Sequence, residues 1–439
     1  MRTLLLGMLS ALCLLAAPPL HAQENMSLEP ARQSEFIGII AKTLRDCYVY
    51  PDSGARIGAD LDKLRRKGNY ARTLTEQEFA RAVTADLETL GHDKHLKLFL
   101  DPDMNSVLRS GKDSEEADRA WIEQEHKRNH GFGRLDVLEG NVGYLELDIF
   151  MPPWDAAPTA VAAMAYLSAC DAFIIDLRNN GGGWGEMVAL LSTYFFSPKE
   201  QVHLSSVYSR PEDKLSQSWT AQWVPGTRFP DRPLYILTSK STFSAAEEFS
   251  YNLKQLKRAV IVGETTRGGA HPVSYKPVGD RLVLQIPEMN SINPVSGGNW
   301  EGVGVAPDIS ATADEALAAA HLTALDSLEA VAQDSKDKAW RHWHRENSES
   351  AYHTVAVPDS TLEAYTGSYG PIKVDRNANG LGYVRGGRMR HSLRPISRSL
   401  FTDLNSDDIR FEFVQKEGTI EGLNLLTEDG GKFWFRRDK

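Results

Sequence analysis

Leu234-Tyr-Ile-Leu-Thr-Ser-Lys-Ser-Thr-Phe-Ser244-Ala-Ala-Glu-Glu-Phe249 carries the residue in this chain best placed to do covalent chemistry. The apolar run from Leu234 to Leu237 reads as a buried strand. The chain turns through Thr238, Ser239 and Lys240, and Ser244 falls where a helix begins. A serine hydroxyl there sits among unpaired backbone N–H groups and the positive end of the helix dipole. That setting stabilises an alkoxide or a tetrahedral oxyanion, which acyl transfer needs. The plainer alternative is that Ser244 only caps the helix.

Two more stretches have the composition of a site. Asp176-Leu-Arg-Asn-Asn-Gly-Gly-Gly-Trp184 leaves a strand for a helix, and its glycines free backbone N–H groups at a sheet edge. It lacks both the Gly-x-Gly-x-x-Gly pattern and a Lys-Ser/Thr pair, so it reads as an oxyanion hole or a structural turn rather than a phosphate cradle. A serine nucleophile also needs a base. His95 in His92-Asp93-Lys94-His95 and His271 in Gly268-Gly-Ala-His-Pro272 are the candidates, and Glu301 could orient an imidazole. Asp176 and Arg178 read as hydrogen-bonding supports of the glycine turn.

The elements that must position these residues follow from periodicity. Phe36, Ile39, Ile40, Leu44 and Cys47 share a helical face over 34–47, and Pro51 marks that helix's end. Thr75-Glu-Gln-Glu78 is a capping box opening a helix with Phe79, Val83, Leu87 and Leu90 inward and Gly91 as its stop. The stretch from Asp101 to about Glu139 is polar, and Val142–Phe150 alternates as a strand. Then strands at 172–177, 234–237 and 259–262 alternate with helices near 157–167, 187–196 and Ser244 onward, an α/β core with largely parallel strands. A helix near 313–332 closes it, and 334–350 reads as a charged connector. From Leu362 short aromatic and β-branched runs are separated by turn pairs such as Asn379-Gly380 and Glu417-Gly418, an antiparallel module forming a small barrel or sandwich.

Composition narrows the function. With 49 Lys plus Arg against 59 Asp plus Glu, the net charge of −10 disfavours a nucleic-acid surface. Arg2, the apolar run Leu4–Ala17 and the small residue Ala22 describe a secretory signal peptide over 1–22, too short to span a membrane. The chain is therefore expected to be exported, periplasmic or secreted, with no membrane span. Cys47 and Cys170 read as separate buried thiols, with a disulfide left open. His342 and His344 suggest a metal pair but lack a third ligand and read as a solvated helix face; no metal or cofactor is expected. Trp219, Trp223 and Trp300 read as core or cleft lining.

The set Asp176–Gly183, Thr242-Phe-Ser-Ala-Ala-Glu-Glu248, Gly263-Glu-Thr-Thr266 and Trp300–Asp308 closely resembles the S41 family of serine peptidases over most of 30–325. That family includes tail-specific processing proteases, the tricorn core and interphotoreceptor retinoid-binding protein, and the likeness is nearest to the last and its bacterial relatives. The resemblance implies an α/β crotonase/ClpP-like core (101–330) with an N-terminal helical region (25–100), a connector (331–355) and a C-terminal small antiparallel β module (356–439), itself similar to small lipocalin-like domains. It implies Ser244 as nucleophile and oxyanion donors at Ala245 and at Gly182 or its neighbour. Tail-specific members use a lysine base, and the position matching it is Gly269. Tricorn-like members use a histidine in an Asp-x-His stretch and a glutamate before Gly-Val-x-Pro-Asp, which fall on His95 and Glu301. The serine preceding that histidine is Lys94 here; Lys94 and His271 are possible cleft residues. The stretch 101–140 is too short for a PDZ domain, so recognition of free C-terminal tails is not supported. The expected function is hydrolysis of a peptide or protein substrate. A non-catalytic carrier of apolar ligands, or a partner-binding protein, is the alternative, and the oligomeric state is open.

Overall fold

The computed structural model describes residues 25–111, 122–378, 380–387 and 390–438, so the leader expected at 1–22 lies outside the described residues. Two compact units divide the chain. One holds residues up to Asp136 with Tyr144–Ala169 and Ile174–Ala316; the other holds Val137–Gly143, Cys170–Phe173 and Leu317–Lys439.

Three helices open the first unit. Pro30–Cys47 buries Phe36, Ile37, Ile40 and Leu44, so its inward face is centred nearer Ile37 than Ile39. Pro51 does not merely follow that helix. It starts another, Pro51–Arg66, as a proline at a first helical position can, since its missing N–H would go unbonded there anyway. Its glycines hid it from periodicity, and their role is close approach: a Cβ at Gly54 would stand 2.2 Å from the Leu44 carbonyl oxygen. The third helix, Glu76–Gly91, carries the capping box, with Thr75 N–H on the Glu78 carboxylate at 2.8 Å and Glu78 N–H on Thr75 Oγ1 at 3.3 Å. It is His92, not Gly91, that takes the left-handed conformation and turns the chain out (φ 52). Phe79, Val83 and Leu87 pack with Leu96, Leu98, Leu282, Leu284 and Ile286 in one apolar core.

That core fastens the helices to a three-stranded antiparallel sheet in the order Val273–Val278, Leu282–Pro287, Lys97–Leu100. Gln285 faces Tyr275 on one side and Lys97 on the other. The two outer strands therefore run the same way, and the residues preceding them, His95 and His271, enter at the same end.

The larger sheet has six strands in the order Ile309–Ser310, Val260–Gly263, Leu234–Thr238, Ala172–Asp176, Val142–Leu147, Phe132–Leu138. The first three are parallel, with Gly263 beside Thr238 and Val262 beside Ile309. Ala172–Asp176 and Leu234–Thr238 are buried throughout, as unbroken apolar runs in a covered sheet should be. Helices Pro153–Tyr166, Gly185–Thr193 and Ala245–Gln255 alternate with these strands. Adjacent parallel strands release their chains at one edge, so the segments after Thr238 and Gly263 leave the sheet together. The polar stretch after Asp101 contains a helix, Pro102–Ser110, capped by the Asp101 carboxylate.

In the second unit the stretch expected as a charged connector is the helix Ser335–Tyr352. His344 is buried on it rather than solvated as its charged surroundings suggest, because Nδ1 hydrogen-bonds Glu139 at 3.1 Å and the Glu428 carboxylate stands 3.5 Å from Nε2. His342 stays largely exposed. Eight antiparallel strands from Gly367–Tyr369 to Lys432–Arg436 follow in chain order around Tyr369, Leu381, Phe401, Phe411 and Leu423. Asp438 N–H donates to the Ser368 carbonyl at 2.8 Å, so the chain beyond the last strand returns to the first. The fold is mixed α/β with a C-terminal antiparallel sheet. Cys47 and Cys170 form no disulfide; Cys170 is buried as expected, whereas Cys47 is only part-buried. Trp300 is buried, whereas Trp219 and Trp223 are exposed rather than core; Trp219 stacks on His203. Among the described residues no helix is long and apolar enough to cross a membrane.

Candidate active site

Ser244 is the residue just before the helix Ala245–Gln255, and its backbone is unusual: φ 55, ψ −120. Ordinary N-cap residues are extended. A non-glycine residue held at positive φ costs on the order of 1–3 kcal/mol and persists only where its surroundings enforce it. Those surroundings are visible. Thr242 Oγ1 donates to the Leu177 carbonyl and Phe243 N–H to the Asn180 carbonyl, pinning the approach to Ser244. On the far side the Glu247 carboxylate accepts Ser244 N–H at 3.0 Å. The same buried carboxylate accepts Gly268 N–H, Gly269 N–H and the Thr266 hydroxyl. Burial pushes Glu247 up to about 7 against the pull of those four donors.

The triple-glycine turn packs against this elbow. A Cβ at Gly182 would lie 2.7 Å from Ser244 Cβ and 3.1 Å from the Ala245 nitrogen. Ala245, as the first helical residue, has no intrahelical acceptor for its N–H. Gly182 differs from expectation: its N–H donates to Asn180 Oδ1 at 2.8 Å, so that amide is already engaged. Asn180, which sequence reading passed over, also donates from Nδ2 to the Leu147 carbonyl and is fully buried. Asp176 binds Arg178 and the Tyr144 hydroxyl, and Arg178 reaches the Ala313 carbonyl. Both are supports.

His95 is buried, and its ring lies against Phe243, the neighbour of Ser244, with centroids 4.5 Å apart. Burial holds its pKa down to about 4, so the ring is neutral near pH 7 and able to take a proton. No hydrogen bond joins it to Ser244 among the described residues. Its Nδ1 is buried without a hydrogen-bond partner, 3.8 Å from Asp93 Oδ1. Glu301 does not fill the expected place beside His95. Its Oε2 accepts Ala270 N–H at 2.6 Å and lies 3.5 Å from His271 Nδ1, because the Trp300–Gly304 turn hangs on the Gly268–His271 segment. Burial, then the nearby Asp93 charge, raises Glu301 to about 7.

His271 Nδ1 stands 2.8 Å from Asp93 Oδ2, which also accepts the Tyr48 hydroxyl at 3.0 Å. Asp93, His271 and Glu301 could each offer one atom to a metal ion, all within 4.8 Å of one another. The 2.8 Å contact is nonetheless a hydrogen-bond length, shorter than the roughly 3.3 Å between two ligands of one tetrahedral zinc with bonds near 2 Å. Lys94 donates to the Arg267 carbonyl.

Gly269 leaves no room for a side chain. A Cβ there would stand 2.2 Å from Phe243 Cε2 and 2.6 Å from His95 Cε1. The imidazole and Phe243 fill the space that any side chain at 269 would enter.

The site thus brings together a serine with strained backbone at a helix start, the Ala245 N–H with no acceptor within its helix, and a buried imidazole packed on the neighbouring Phe243. The family model "Peptidase family S41" matches residues 141–311, and "N-terminal domain of Peptidase_S41 in eukaryotic IRBP" matches 22–129. The chain belongs to peptidase family S41. A carboxy-terminal-processing protease of Bartonella bacilliformis is 25% identical over 176 residues, 39% of this chain and 39% of that protein. A carboxyl-terminal-processing protease of Synechocystis is 32% identical over 130 residues, 29% and 28% respectively. The chain thus spans about a third of the length of the curated relatives it matches. Among solved structures, tricorn protease aligns at TM-score 0.42 and 15% identity, covering 65% of this chain and 35% of that one.

Two outcomes are expected. Gly269→Ala will remove reactivity at Ser244 by displacing His95 or Phe243, while far-UV circular dichroism stays that of the wild type. Glu301 carries a folded pKa of about 7 against 4.5 for the free side chain, so its contribution to stability is fully present below pH 4.5 and lost as pH rises through 7. Urea unfolding should therefore show wild type losing stability relative to Glu301→Gln across that window.

Proposed function

We propose that this chain is an exported serine peptidase in which Ser244 attacks the scissile carbonyl of a peptide or protein substrate. The observation that carries this reading is the backbone of Ser244, held at φ 55 by hydrogen bonds on both sides. That strain thrusts the hydroxyl out of the strand–helix turn, beside the free end of a helix. His95 removes the serine proton as attack begins and returns it to the leaving amine. The Ala245 N–H, which has no acceptor within its helix, receives the developing oxyanion; such a donor is worth on the order of 3 kcal/mol. Glu301 enters as the neighbour of His271 and Asp93 rather than as the direct partner of His95.

The core is read as crotonase/ClpP-like from the four ordered motifs, and export from the leader pattern over 1–22. The C-terminal sheet from Gly367 onward is read as a separate module after a connector at 331–355. Family membership and the names of the processing-protease relatives support the peptidase class.

A second reading, a carrier of apolar ligands, has one feature in its favour. A cavity of about 540 Å³ is lined by Phe132, Leu145, Pro158, Ala163 and Tyr166. One experiment separates the two. A fluorophosphonate probe should label wild type and not Ser244→Ala, and His95→Ala should slow labelling by about 10³-fold or more. Unlabelled wild type that binds a fluorescent retinoid would favour the carrier.

A further inference from the structure

We propose that Asp93 is the carboxylate that orients the His95 imidazole, and that His271 is the positioning residue that fixes Asp93 for the task. The proposal rests on the Ser244–His95 reading above and replaces Glu301 in the third role.

The assignment follows from counting lone pairs. Asp93 is 1% exposed, so its acceptor sites must be met by the protein. Oδ2 receives the Tyr48 hydroxyl at 3.0 Å and faces His271 Nδ1 at 2.8 Å, which uses both of its in-plane positions. Oδ1 accepts His95 N–H at 2.9 Å and has one position left. His95 Nδ1, buried and without a hydrogen-bond partner, lies 3.8 Å from that oxygen. A movement of less than 1 Å closes this to a hydrogen bond. Glu301 has no hydrogen bond or ion pair to His95 among the described residues; its contacts are Ala270 N–H and His271.

The protonation states fit the roles. Burial alone would raise Asp93, but the hydrogen bond from His271, with the backbone N–H of His95, holds it below the usual carboxylate range. Burial opposes charge on His271, yet Asp93 and then Glu301 draw it upward. When Ser244 Oγ bonds to the carbonyl carbon, the carbonyl electron pair moves to oxygen and the serine proton to His95 Nε2. The imidazolium so formed carries Nδ1–H toward Asp93 Oδ1, where an ionised carboxylate offsets the new charge. The proton then leaves with the amine. His271 keeps Asp93 from turning toward any other partner, and the Tyr50 hydroxyl, 3.4 Å from His271 Nε2, braces that ring from behind.

The charged and titratable groups acting on His95 are Asp93, His271, Lys97 and Arg267. His271 opposes the pull of Asp93 on His95, so replacing it by a neutral residue leaves Asp93 to act with less opposition and raises the pH at which His95 loses its proton.

The test is the rate of fluorophosphonate labelling of the full chain from pH 4 to 9. Asp93→Asn should slow labelling by about 10³-fold or more, the loss expected when an imidazole loses its orienting carboxylate. Glu301→Gln should slow it less than tenfold. His271→Gln should reduce the rate and move the acid limb of the profile to higher pH; a merely structural histidine would lower the rate without moving the limb. Tyr48→Phe, which deletes one donor to Asp93 and leaves the ring in the core, should cost a few-fold, and it decides the matter if Asp93→Asn fails to fold. Folded Asp93→Asn or Tyr48→Phe that labels at the wild-type rate across the range overturns the proposal. So does folded Glu301→Gln that is as slow as His95→Ala. Wild type that never labels overturns the nucleophile reading itself, which is a distinguishable result.

Discussion

A single buried carboxylate, that of Glu247, ties the site together. It receives the N–H groups of Ser244, Gly268 and Gly269 and the hydroxyl of Thr266, so it joins the start of one helix to the loop that follows the next strand. A buried acid with fewer donors would cost several kcal/mol. Here the donors are main-chain groups whose positions define the site, so satisfying the acid and shaping the elbow are one event. The Thr266 hydroxyl accepts Val305 N–H in turn, and Trp300 Nε1 donates to the Gly269 carbonyl, which extends the same constraint to the turn bearing Glu301.

Topology supplies what that carboxylate can then hold. Parallel neighbours Leu234–Thr238 and Val260–Gly263 end at the same edge, so Ser244 and the Gly268–His271 segment emerge side by side. The smaller sheet adds the second condition. Its outer strands run in the same direction, so His95 and His271 approach from one end and share Asp93 between them. Three stretches distant in sequence, at Asp93–His95, Ser244 and Gly268–His271, meet where the loops of the two sheets converge. The apolar core beneath the helices, from Phe36 to Ile286, makes that second sheet rigid enough to matter.

Much of this was legible in the residues. The unbroken runs at Leu234–Leu237 and Phe173–Leu177, the capping box at Thr75 and the turn-punctuated tail each follow from local patterning, and the α/β elements that periodicity names lie within a few residues of where it puts them, whereas the strands Val273–Val278 and Leu282–Pro287 went unread. The helix Pro51–Arg66 was hidden because glycines that permit tight packing look, in sequence, like loop. At the site, Ser244 and His95 were readable as types, and the Asp-x-His stretch held Asp93 in plain view. What sequence cannot express is which oxygen faces which nitrogen. Glu301 was expected beside His95, but the order of motifs says nothing of the turn that carries it to His271 instead. Asn180 and Glu247 went unnoticed as supports for a related reason: their work is done on backbone amides, which every residue has.

The tight contact at Gly269 has an implication for how such sites diversify. With the ring of His95 and the phenyl of Phe243 occupying the volume above that residue, a lysine cannot be introduced there while the imidazole remains. Under the mechanism proposed here, deleting the imidazole first would remove the base. A lysine at 269 and the imidazole at 95 therefore exclude one another sterically, and on that reading an exchange of one base for the other requires both positions to change together.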